Sequence, residues 1–450
     1  MPRKATIPTN PPKERAFLVG VELTRQKDLL SLEDSLTELA LLADTAGLEV
    51  VGEATQKLEA PNPETYIGSG KVEEIKALAE ESLAQIIIFD NELSPRHLRE
   101  LEEKFGDSVR VLDRTALILD IFAQHAHTSE GILQVELAQY EYRLPRLTRA
   151  WTHLARQAGG GGGRTGSVGG VGLRGPGETQ LEVDRREIRD RISHLKDDLE
   201  KVRSHRLRHR VQRQRSHIPL ITLVGYTNAG KSTLLNSLSK AGVYVANQLF
   251  ATLDPTTRRV TLPEGHVALF TDTVGFIQKL PTQLIAAFRA TLEEITESDL
   301  LIHVVDVTHP NALAHTRAVN DTLVEIGASH IPVITALNKI DRFPDPDAAR
   351  NAIQDFSGAV VAISAKTGEG INDLLKTIEV ELFEKFTPIA VWLPFEQGNL
   401  ISLFHEQGRV ERLENERGGV QIQGAIPGRL LARYQSYLLV NHQQRQDGDV

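Results

Sequence analysis

Cysteine is absent from the 450 residues of this chain. This absence excludes disulfides, thiolate catalysis and cysteine-ligated zinc, and it fits a reducing compartment. Apolar runs of the ~18–20 residues that cross a bilayer are also absent, so we expect no membrane span. Residues 1–15 are polar and rich in proline, which predicts a short disordered tail and no signal peptide. The composition, 40% hydrophobic and 25% charged, is typical of a globular protein. At about 150 residues per domain, the length suggests roughly two to four domains.

Acidic residues are missing from one part of the chain. Residues 143–177 contain six arginines and no Asp or Glu, although the whole chain has a net charge of −9. Residues 143–216 hold 18 Lys and Arg against 8 Asp and Glu, a surplus of ten positive charges. A local basic element on an acidic protein is typical of an arm that binds a polyanion. A solvated helix face is the alternative, and the absence of acids favours the arm.

The N-terminal part of the chain alternates between two kinds of segment. Short runs rich in Val, Ile and Phe are typical of strands. They are residues 16–23, 48–54, 85–90 and 109–113. Between them, apolar residues recur at helical spacing. These segments are residues 31–46, 71–83 and 95–105. The alternation predicts a small α/β domain over residues 16–130, with a mostly parallel sheet.

Two heptad stripes follow, and each predicts a helix with one apolar face. The first stripe is formed by Leu133, Leu137, Tyr140, Leu144, Leu147, Trp151 and Leu154. The second is formed by Ile188, Ile192, Leu195, Leu199 and Val202. Pro145 should bend or break the first helix near Leu144. Thr179 and Glu182 have the spacing of a capping box at the start of the second helix.

A glycine-rich loop lies between the two stripes. Of its 19 residues, 159–177, 11 are glycine. Because ordering glycine is costly in conformational entropy, this loop cannot hold one conformation by itself. We therefore predict a basic, antiparallel helical hairpin over residues 131–216, with a flexible tip that carries Arg164 and Arg174. A plain linker between domains is the alternative, but a linker does not need matched heptads on both sides.

A strand-like run at residues 220–224 leads into a phosphate-binding loop. The loop consists of Gly225, Tyr226, Thr227, Asn228, Ala229, Gly230, Lys231 and Ser232. This is the pattern G-x-x-x-x-G-K-S in the strand–loop–helix context that it requires. Its backbone N–H groups would surround phosphates at the positive end of a helix dipole. Lys231 would reach the β- and γ-phosphates, and the Ser232 hydroxyl would bind Mg²⁺.

Three further motifs narrow the ligand to GTP, and each follows a strand-like run. They are Asp272, Thr273, Val274 and Gly275; Asn338, Lys339, Ile340 and Asp341; and Ser364, Ala365 and Lys366. Asp272 would hold Mg²⁺ through water, and the N–H of Gly275 would meet the γ-phosphate. The Asp341 carboxylate can accept two hydrogen bonds from guanine, which adenine does not match. The third motif resembles the guanine-supporting loop of GTPases, so residues 217–386 are predicted to be a P-loop GTPase domain with a mostly parallel sheet.

The first switch segment is expected between the phosphate loop and Asp272. The candidate residues are Phe250, Ala251, Thr252, Leu253 and Asp254. Thr252 would close over Mg²⁺ when the γ-phosphate is present. Thr256 and Thr257 are rivals for this role, and only a family resemblance of the surrounding residues favours Thr252. The predicted catalytic residues are Lys231, Thr252 and Gly275. The predicted direct ligands of Mg²⁺ are Ser232 and Thr252.

One residue that Ras-like GTPases use is missing. They place a Gln just after the Asp-x-x-Gly motif to orient the attacking water. Here that position is Phe276, which has no group that can form a hydrogen bond. We therefore expect slow intrinsic hydrolysis, with the water positioned by a partner surface or by a monovalent cation. Asn228 matches the position at which some GTPases coordinate K⁺, so K⁺ is a candidate cofactor.

The order of these motifs resembles that of translation-factor-class GTPases, and three segments resemble the HflX family more specifically. They are residues 66–71 (Tyr-Ile-Gly-Ser-Gly-Lys), 175–182 (Gly-Pro-Gly-Glu-Thr-Gln-Leu-Glu) and 250–257 (Phe-Ala-Thr-Leu-Asp-Pro-Thr-Thr). The resemblance covers about residues 16–385. It implies a cytoplasmic GTPase that associates with the large ribosomal subunit and acts in splitting or rescue of stalled ribosomes under stress, or in subunit biogenesis. It also implies that the N-terminal domain and the hairpin dock on ribosomal RNA.

Two parts of the chain stay open. The family has been associated with ATP binding by the N-terminal domain, and residues 68–71 could bind an anion where a helix begins. They lack the full phosphate-loop spacing, so a helix cap with a surface Lys71 is favoured. Residues 387–450 are predicted to form a small α+β appendage outside the resemblance. Its expected parts are strands at 390–393 and 420–423, a hairpin turn at 414–419 and a helical stretch at 428–439.

Three classes of function remain at this point. The first is a GTP-driven switch on the ribosome. The second is an ATP-driven RNA-remodelling enzyme that acts through the N-terminal domain, and the third is a GTP-regulated scaffold whose hairpin grips another protein. For the first class we expect a monomer that binds GTP, GDP and Mg²⁺ in the cytoplasm, with peripheral membrane association as an alternative.

Overall fold

The computed structural model forms two compact units, one built from the described residues up to His205 and one from Arg206 onward. The described residues are 13–25, 29–147, 180–214, 218–239, 249–250, 253–279, 294–343, 356, 358–384, 386–416 and 418–439. Several predictions lie outside them: those for residues 1–12, Trp151, Leu154, the glycine-rich loop, Thr179, Ala251 and Thr252. None of the helices in the described ranges is long and apolar enough to cross a membrane.

A four-stranded parallel sheet forms the centre of the first unit. Its strands are β1 (Arg15–Leu23), β2 (Glu49–Leu58), β3 (Ile86–Phe89) and β4 (Arg110–Asp113). They lie in the order β2-β1-β3-β4, and every pair is parallel, as predicted. The helices are α1 (Leu32–Thr45), α2 (Ser69–Glu81), α3 (Pro95–Phe105) and α4 (Arg114–His125). The tail predicted for residues 1–15 ends earlier than expected, because Arg15 already pairs with Glu49.

Helix α4 is absent from the sequence predictions. It follows β4 without a loop, because the last residue of the strand is also the helix cap. The Asp113 side chain accepts a hydrogen bond from the N–H of Ala116 at 2.8 Å. Strand and helix therefore share one apolar run, and no glycine or proline marks the boundary.

A buried charged cluster lies where β3 and β4 end. Arg114 is 1% exposed, donates to Oδ1 of Asp90 at 2.7 Å and also pairs with Glu38. Asp90 is fully buried and accepts a second bond from the Ser35 hydroxyl at 2.8 Å. Buried charges of this kind are tolerated only when they are paired. The carboxyl edge of a parallel sheet commonly binds ligands, but at β3 and β4 it is occupied by these side chains.

Two long helices cover the described parts of the predicted heptad stripes, but of the first stripe's residues in its helix only Leu137 is buried. They are α5 (Ser129–Arg143) and α6 (Gln180–Gln214). Helix α5 ends at Arg143, and a 3₁₀ turn, Leu144–Arg146, contains Pro145, so the predicted break is confirmed. Leu195 on α6 is fully buried. Ion pairs from Arg191 to Glu136 at 2.7 Å and from Lys196 to Glu141 at 2.8 Å connect the two helices.

A six-stranded sheet forms the first part of the second unit. Its strands are β5 (Leu220–Val224), β6 (Thr256–Thr261), β7 (Val267–Asp272), β8 (Leu300–Asp306), β9 (Val333–Asn338) and β10 (Ala359–Ala362). Their order is β10-β9-β8-β5-β7-β6, and only the β6–β7 pair is antiparallel. The helices described here are α7 (Lys231–Ser239), α8 (Ala312–Glu325) and α9 (Ile371–Glu379). The predicted mostly parallel sheet is confirmed, and its strands end at one common edge.

The last part of the second unit is a three-stranded antiparallel sheet with short helices. Its strands are β11 (Phe386–Pro394), β12 (Arg409–Glu416) and β13 (Gly419–Pro427), in the order β11-β13-β12. The helices are α10 (Gly398–Gln407) and α11 (Leu431–Tyr434). The predicted strands and the β12–β13 hairpin are present, but β12 and α10 were not predicted as elements. The helical stretch expected at 428–439 is wrong as one helix, because two 3₁₀ turns flank the four residues of α11.

The Arg114 cluster generates a stability prediction. Changing Arg114 to Ala leaves Asp90 and Glu38 buried without their cation, which should cost about 3–5 kcal/mol. We expect faster amide hydrogen exchange in β1 and β3 and an earlier unfolding transition in urea. Changing Arg191, whose pair with Glu136 is exposed, to Ala is the control and should change neither measurement appreciably. Equal exchange rates in the two variants would contradict the importance of the buried cluster.

Candidate nucleotide-binding site

The phosphate loop joins the end of β5 to the start of α7, as its pattern requires. Gly230 has a φ of +100°, and a Cβ there would lie 2.3 Å from Nδ2 of Asn338. Only glycine combines this backbone conformation with so close an approach. The loop therefore passes directly beside the residue that begins the Asn338–Asp341 motif.

Lys231 lies inside this loop and is 6% exposed. Its Nζ donates to the carbonyl oxygens of Gly225 and Tyr226, both at 3.1 Å. Burial lowers the pKa of the ammonium to about 8, although the charge of Asp272 opposes the shift. His303 on β8 is also buried, and burial together with the Lys231 charge lowers its pKa to about 4. His303 is therefore neutral at physiological pH and leaves Lys231 as the cation at this point.

Ser232 and Asp272 meet at the start of α7. The Ser232 hydroxyl donates to Oδ2 of Asp272 at 2.6 Å, and Asp272 is the last residue of β7. The next residue, Thr273, is held by its own hydroxyl, which donates to the Leu223 carbonyl at 2.8 Å. A hydroxyl and a carboxylate are oxygen ligands of the kind that Mg²⁺ prefers. The two side chains thus fit a Mg²⁺ site beside the phosphate loop.

The Asp-x-x-Gly loop lies against the phosphate loop. The N–H of Thr227 donates to the Phe276 carbonyl at 2.7 Å, and the N–H of Phe276 donates to the Gly225 carbonyl at 3.1 Å. A Cβ on Gly275 would lie 2.6 Å from Cα of Thr227 and 3.0 Å from Nζ of Lys231. The Phe276 side chain is only 4% exposed. A buried phenyl ring offers no hydrogen bond to an attacking water.

Three loops meet at the predicted guanine end. Asn338 is 2% exposed and donates from Nδ2 to the Ala229 carbonyl at 2.8 Å. Its Oδ1 accepts from the N–H of Ala365 at 2.9 Å. The Ser364 hydroxyl donates to Oδ1 of Asp341 at 2.7 Å, which fixes the carboxylate that would read guanine. The structure thus brings the phosphate loop and both predicted guanine loops together.

Sequence reasoning missed Asp306 at the end of β8. Its Oδ2 accepts from Nζ of Lys339 at 2.6 Å, and Lys339 also donates to the Asn228 carbonyl at 2.9 Å. Burial would raise the pKa of Asp306, but the bonds from Lys339 and Thr308 outweigh burial and hold the pKa below its usual range. The available signal was its position, because Asp306 ends the strand next to β5 and β9.

Tyr226 makes two side-chain contacts that were not predicted from the sequence. Its ring stacks on His315 of α8, with centroids 3.8 Å apart and planes within 4°. Its hydroxyl accepts from the N–H of Gln278 at 2.8 Å. One phosphate-loop side chain therefore holds both α8 and the segment after Gly275.

The remaining predicted site residues have few described contacts with the phosphate loop or the guanine loops. The N–H of Phe250 donates to the Thr227 hydroxyl at 3.3 Å, and Leu253 is buried. Lys366 is exposed, and Ile340 begins a 3₁₀ turn. Asp254 and Val274 are part-exposed. The geometry tests the predicted roles of none of these residues, which stay predictions.

Four family models match the chain in sequence. They are described as GTP-binding GTPase N-terminal (residues 33–123), GTP-binding GTPase middle region (125–213), 50S ribosome-binding GTPase (220–339) and HflX C-terminal domain (352–433). Together they follow the chain from α1 into α11. The C-terminal match includes the sheet that lay outside the sequence resemblance.

Individual relatives align over nearly the whole chain. GTPase HflX of Caldanaerobacter subterraneus subsp. tengcongensis is 43% identical over 427 residues, which cover 95% of this chain and 94% of that protein. GTPase HflX of Escherichia coli is 42% identical over 415 residues, with 92% and 94% covered. A solved structure of a GTP-binding protein from Sulfolobus solfataricus in complex with GDP is 26% identical, covers 81% of this chain and 97% of that chain, and has a TM-score of 0.42.

The burial of Lys231 predicts that nucleotide binding is coupled to proton uptake. Phosphate oxygens beside its ammonium should raise the pKa from about 8, because a nearby anion favours the charged form. At pH 8.5, GDP binding should therefore be accompanied by proton uptake, and the affinity at pH 9 should be about tenfold below that at pH 7. Calorimetric titration in two buffers of different ionisation enthalpy measures the uptake. A titration at pH 6.5, where Lys231 is already charged, is the control, and equal affinities at pH 7 and 9 would refute the assignment.

Proposed function

The chain belongs to the HflX family of GTPases, and on that premise we propose that it is a GTP-hydrolysing switch on the large ribosomal subunit. The binding of a guanine nucleotide is supported most directly by two hydrogen bonds of the Asn338 side chain. They join the phosphate loop to the guanine-supporting loop. The match of residues 220–339 to a family described as 50S ribosome-binding GTPase supports the ribosomal part.

Guanine selectivity would come from Asp341. Its carboxylate can accept hydrogen bonds from N1–H and N2–H₂ of guanine, whereas adenine presents no matching pair of donors. The Ser364 hydroxyl holds one of its oxygens at 2.7 Å, so the acceptor is oriented before the base arrives. We therefore expect GTP and GDP as ligands, and ATP would leave this carboxylate without its partner.

The phosphate end would act through charge and position. Lys231 would exchange the carbonyls of Gly225 and Tyr226 for β- and γ-phosphate oxygens. When bound, Mg²⁺ would neutralise phosphate charge, held by Ser232 directly and by Asp272 through water. The N–H of Gly275 would meet the γ-phosphate, so that this loop responds to hydrolysis.

Thr252 is our choice for the switch threonine. The rivals Thr256 and Thr257 both lie in β6, where Thr256 pairs with Asp272 and the Thr257 hydroxyl bonds the Thr271 hydroxyl at 2.9 Å. A residue held in a sheet is poorly suited to closing over an ion. Thr252 precedes the strand by four residues in the chain, which supports its assignment as the second protein ligand of Mg²⁺.

The predicted basic hairpin would supply the contact with RNA that the family resemblance implies. Residues 143–216 carry a surplus of ten positive charges on an otherwise acidic chain. Arginine can bind phosphate oxygens bidentately, and a glycine-rich tip can adapt to an irregular RNA surface. We propose a monomeric, cytoplasmic protein that uses this contact in splitting or rescue of stalled ribosomes or in subunit biogenesis.

The ribosomal role is tested by GTP turnover with and without purified large subunits. We expect stimulation of about tenfold or more, because a partner surface would supply the water-orienting group that Phe276 lacks. ATP serves as the parallel substrate, and Lys231→Ala is the inactive control. ATP turnover that survives in this variant would instead support an RNA-remodelling enzyme that acts through the N-terminal domain. GTP binding with no response to subunits would support a protein-binding scaffold.

The hairpin is tested in the same assay with a double variant, Arg164→Ala and Arg174→Ala. Subunit binding should weaken and its salt dependence should flatten, while GTP affinity stays unchanged. Unaltered binding to subunits would mean that these arginines do not contact RNA.

The K⁺ hypothesis has its own test. If Asn228 coordinates K⁺ near the phosphates, hydrolysis should be faster in KCl than in NaCl at equal ionic strength. The Asn228→Ala variant should lose this difference while it still binds GTP. Equal rates in both salts, or a K⁺ dependence that survives the substitution, would reject the hypothesis.

A further inference from the structure

Asp306 is held on both sides of its carboxylate. Oδ1 accepts from the N–H of Thr308 at 3.1 Å and from the Thr308 hydroxyl at 2.6 Å. Oδ2 accepts from Nζ of Lys339 at 2.6 Å. The side chains of Asp306 and Lys339 are 16% and 15% exposed, so the ion pair is largely shielded from water. Thr308 thus orients the Asp306 carboxylate, and this carboxylate in turn orients Lys339.

Lys339 connects three segments through one ammonium group. Besides Asp306, its Nζ donates to the carbonyl of Asn228 in the phosphate loop at 2.9 Å. The backbones of Lys339 and Asn228 are both left-handed, with φ of 72° and 58°. This conformation is unfavourable for most residues other than glycine, although asparagine tolerates it better than lysine does. At Lys339 the bonds of its side chain to Asp306 and Asn228 help to hold this conformation.

The ion pair of Asp306 and Lys339 connects the loop after β9 to the end of β8. In the sheet, Asp306 is directly opposite Asn338, the residue before Lys339. The carboxylate is therefore fixed to the sheet, while the lysine that it holds lies in the loop that would read guanine. Through Lys339, a group at the end of β8 therefore links the guanine loop to the phosphate loop, in addition to the link that the Asn338 amide makes.

We propose that Asp306 is a positioning residue for the guanine nucleotide: it holds Lys339 so that the guanine loop and the phosphate loop keep the spacing that one nucleoside diphosphate needs. This inference rests on the proposed binding of GTP and GDP at this site. Asp306 determines how long the nucleotide stays bound, and it takes no part in the hydrolytic step, which is assigned to Lys231, Thr252 and Gly275.

The primary experiment measures GDP dissociation from Asp306→Asn. The substitution keeps the shape of the side chain and removes its charge. A fluorescent GDP analogue is bound and then displaced by excess GDP in a stopped-flow instrument. We expect dissociation about tenfold faster than from the unchanged protein, which corresponds to about 1.4 kcal/mol. In steady state, KM for GTP should rise while kcat at saturating GTP stays within about twofold.

Three companion variants separate positioning from a general loss of structure. Thr308→Val removes the hydroxyl that aims the carboxylate but keeps the backbone bond, so it should speed dissociation by a smaller factor. Asp306→Glu retains the charge and should recover part of the lost retention. Asp321→Asn changes an exposed acid on α8 and is the matched control, with dissociation unchanged. If Asp306→Asn does not fold, the Thr308 and Glu variants still test the proposal.

Two results would overturn the inference. Dissociation of GDP from Asp306→Asn at the rate of the unchanged protein would show that the carboxylate does not set retention. A fall in kcat equal to the fall in kcat/KM, with KM unchanged, would place Asp306 in the hydrolytic step instead. Failure of the unchanged protein to bind the GDP analogue at all would count against the proposed function, and is therefore distinct from both.

Discussion

The nucleotide site depends on one buried amide. Asn338 donates to the Ala229 carbonyl and accepts from the Ala365 N–H, so a single side chain connects three loops that follow three different strands. The contact is possible only because Gly230 has no Cβ, which would lie 2.3 Å from the amide nitrogen. The parallel sheet brings the loops to one edge, and this amide then fixes their separation.

The phosphate end is arranged differently, through contacts that a nucleotide would replace. Lys231 bonds two carbonyls of its own loop, and the backbone of Phe276 pairs with Gly225 and Thr227. Gly275 lies so close to Lys231 that a Cβ there would be 3.0 Å from Nζ. The Gly275 loop therefore lies directly against the lysine that is proposed to meet the phosphates. Under the proposed function, the contacts of the guanine end are present before the base binds, whereas those of the phosphate end would be exchanged for contacts to the ligand.

Sequence predicted those features whose physical cause is local. Apolar runs identify β5 and the strand before the Asn338 motif, β9, and the glycine spacing identifies the phosphate loop because the backbone there needs it. Helix α4 was missed because it shares the apolar run of β4, and β12 because all of its residues are exposed and show no alternation. Asp306 was missed for another reason. An acid at a strand end looks like any surface acid until the fold places Lys339 beside it.

The β6–β7 hairpin connects the two segments that are predicted to act as switches, and it is anchored at both ends. At one end Thr256 pairs with Asp272. At the other, the buried Glu379 of α9 accepts from the N–H of Glu264 at 3.1 Å and bonds the ring of His266 at 2.8 Å. His266 also stacks on Phe383, which lies in the π-helix Val380–Glu384. This π-helix ends shortly before β11 begins at Phe386. Packed interiors have low compressibility, so under the proposed function we expect a displacement of the Gly275 loop to occur in the segments that flank the hairpin, after Phe276 or before β6.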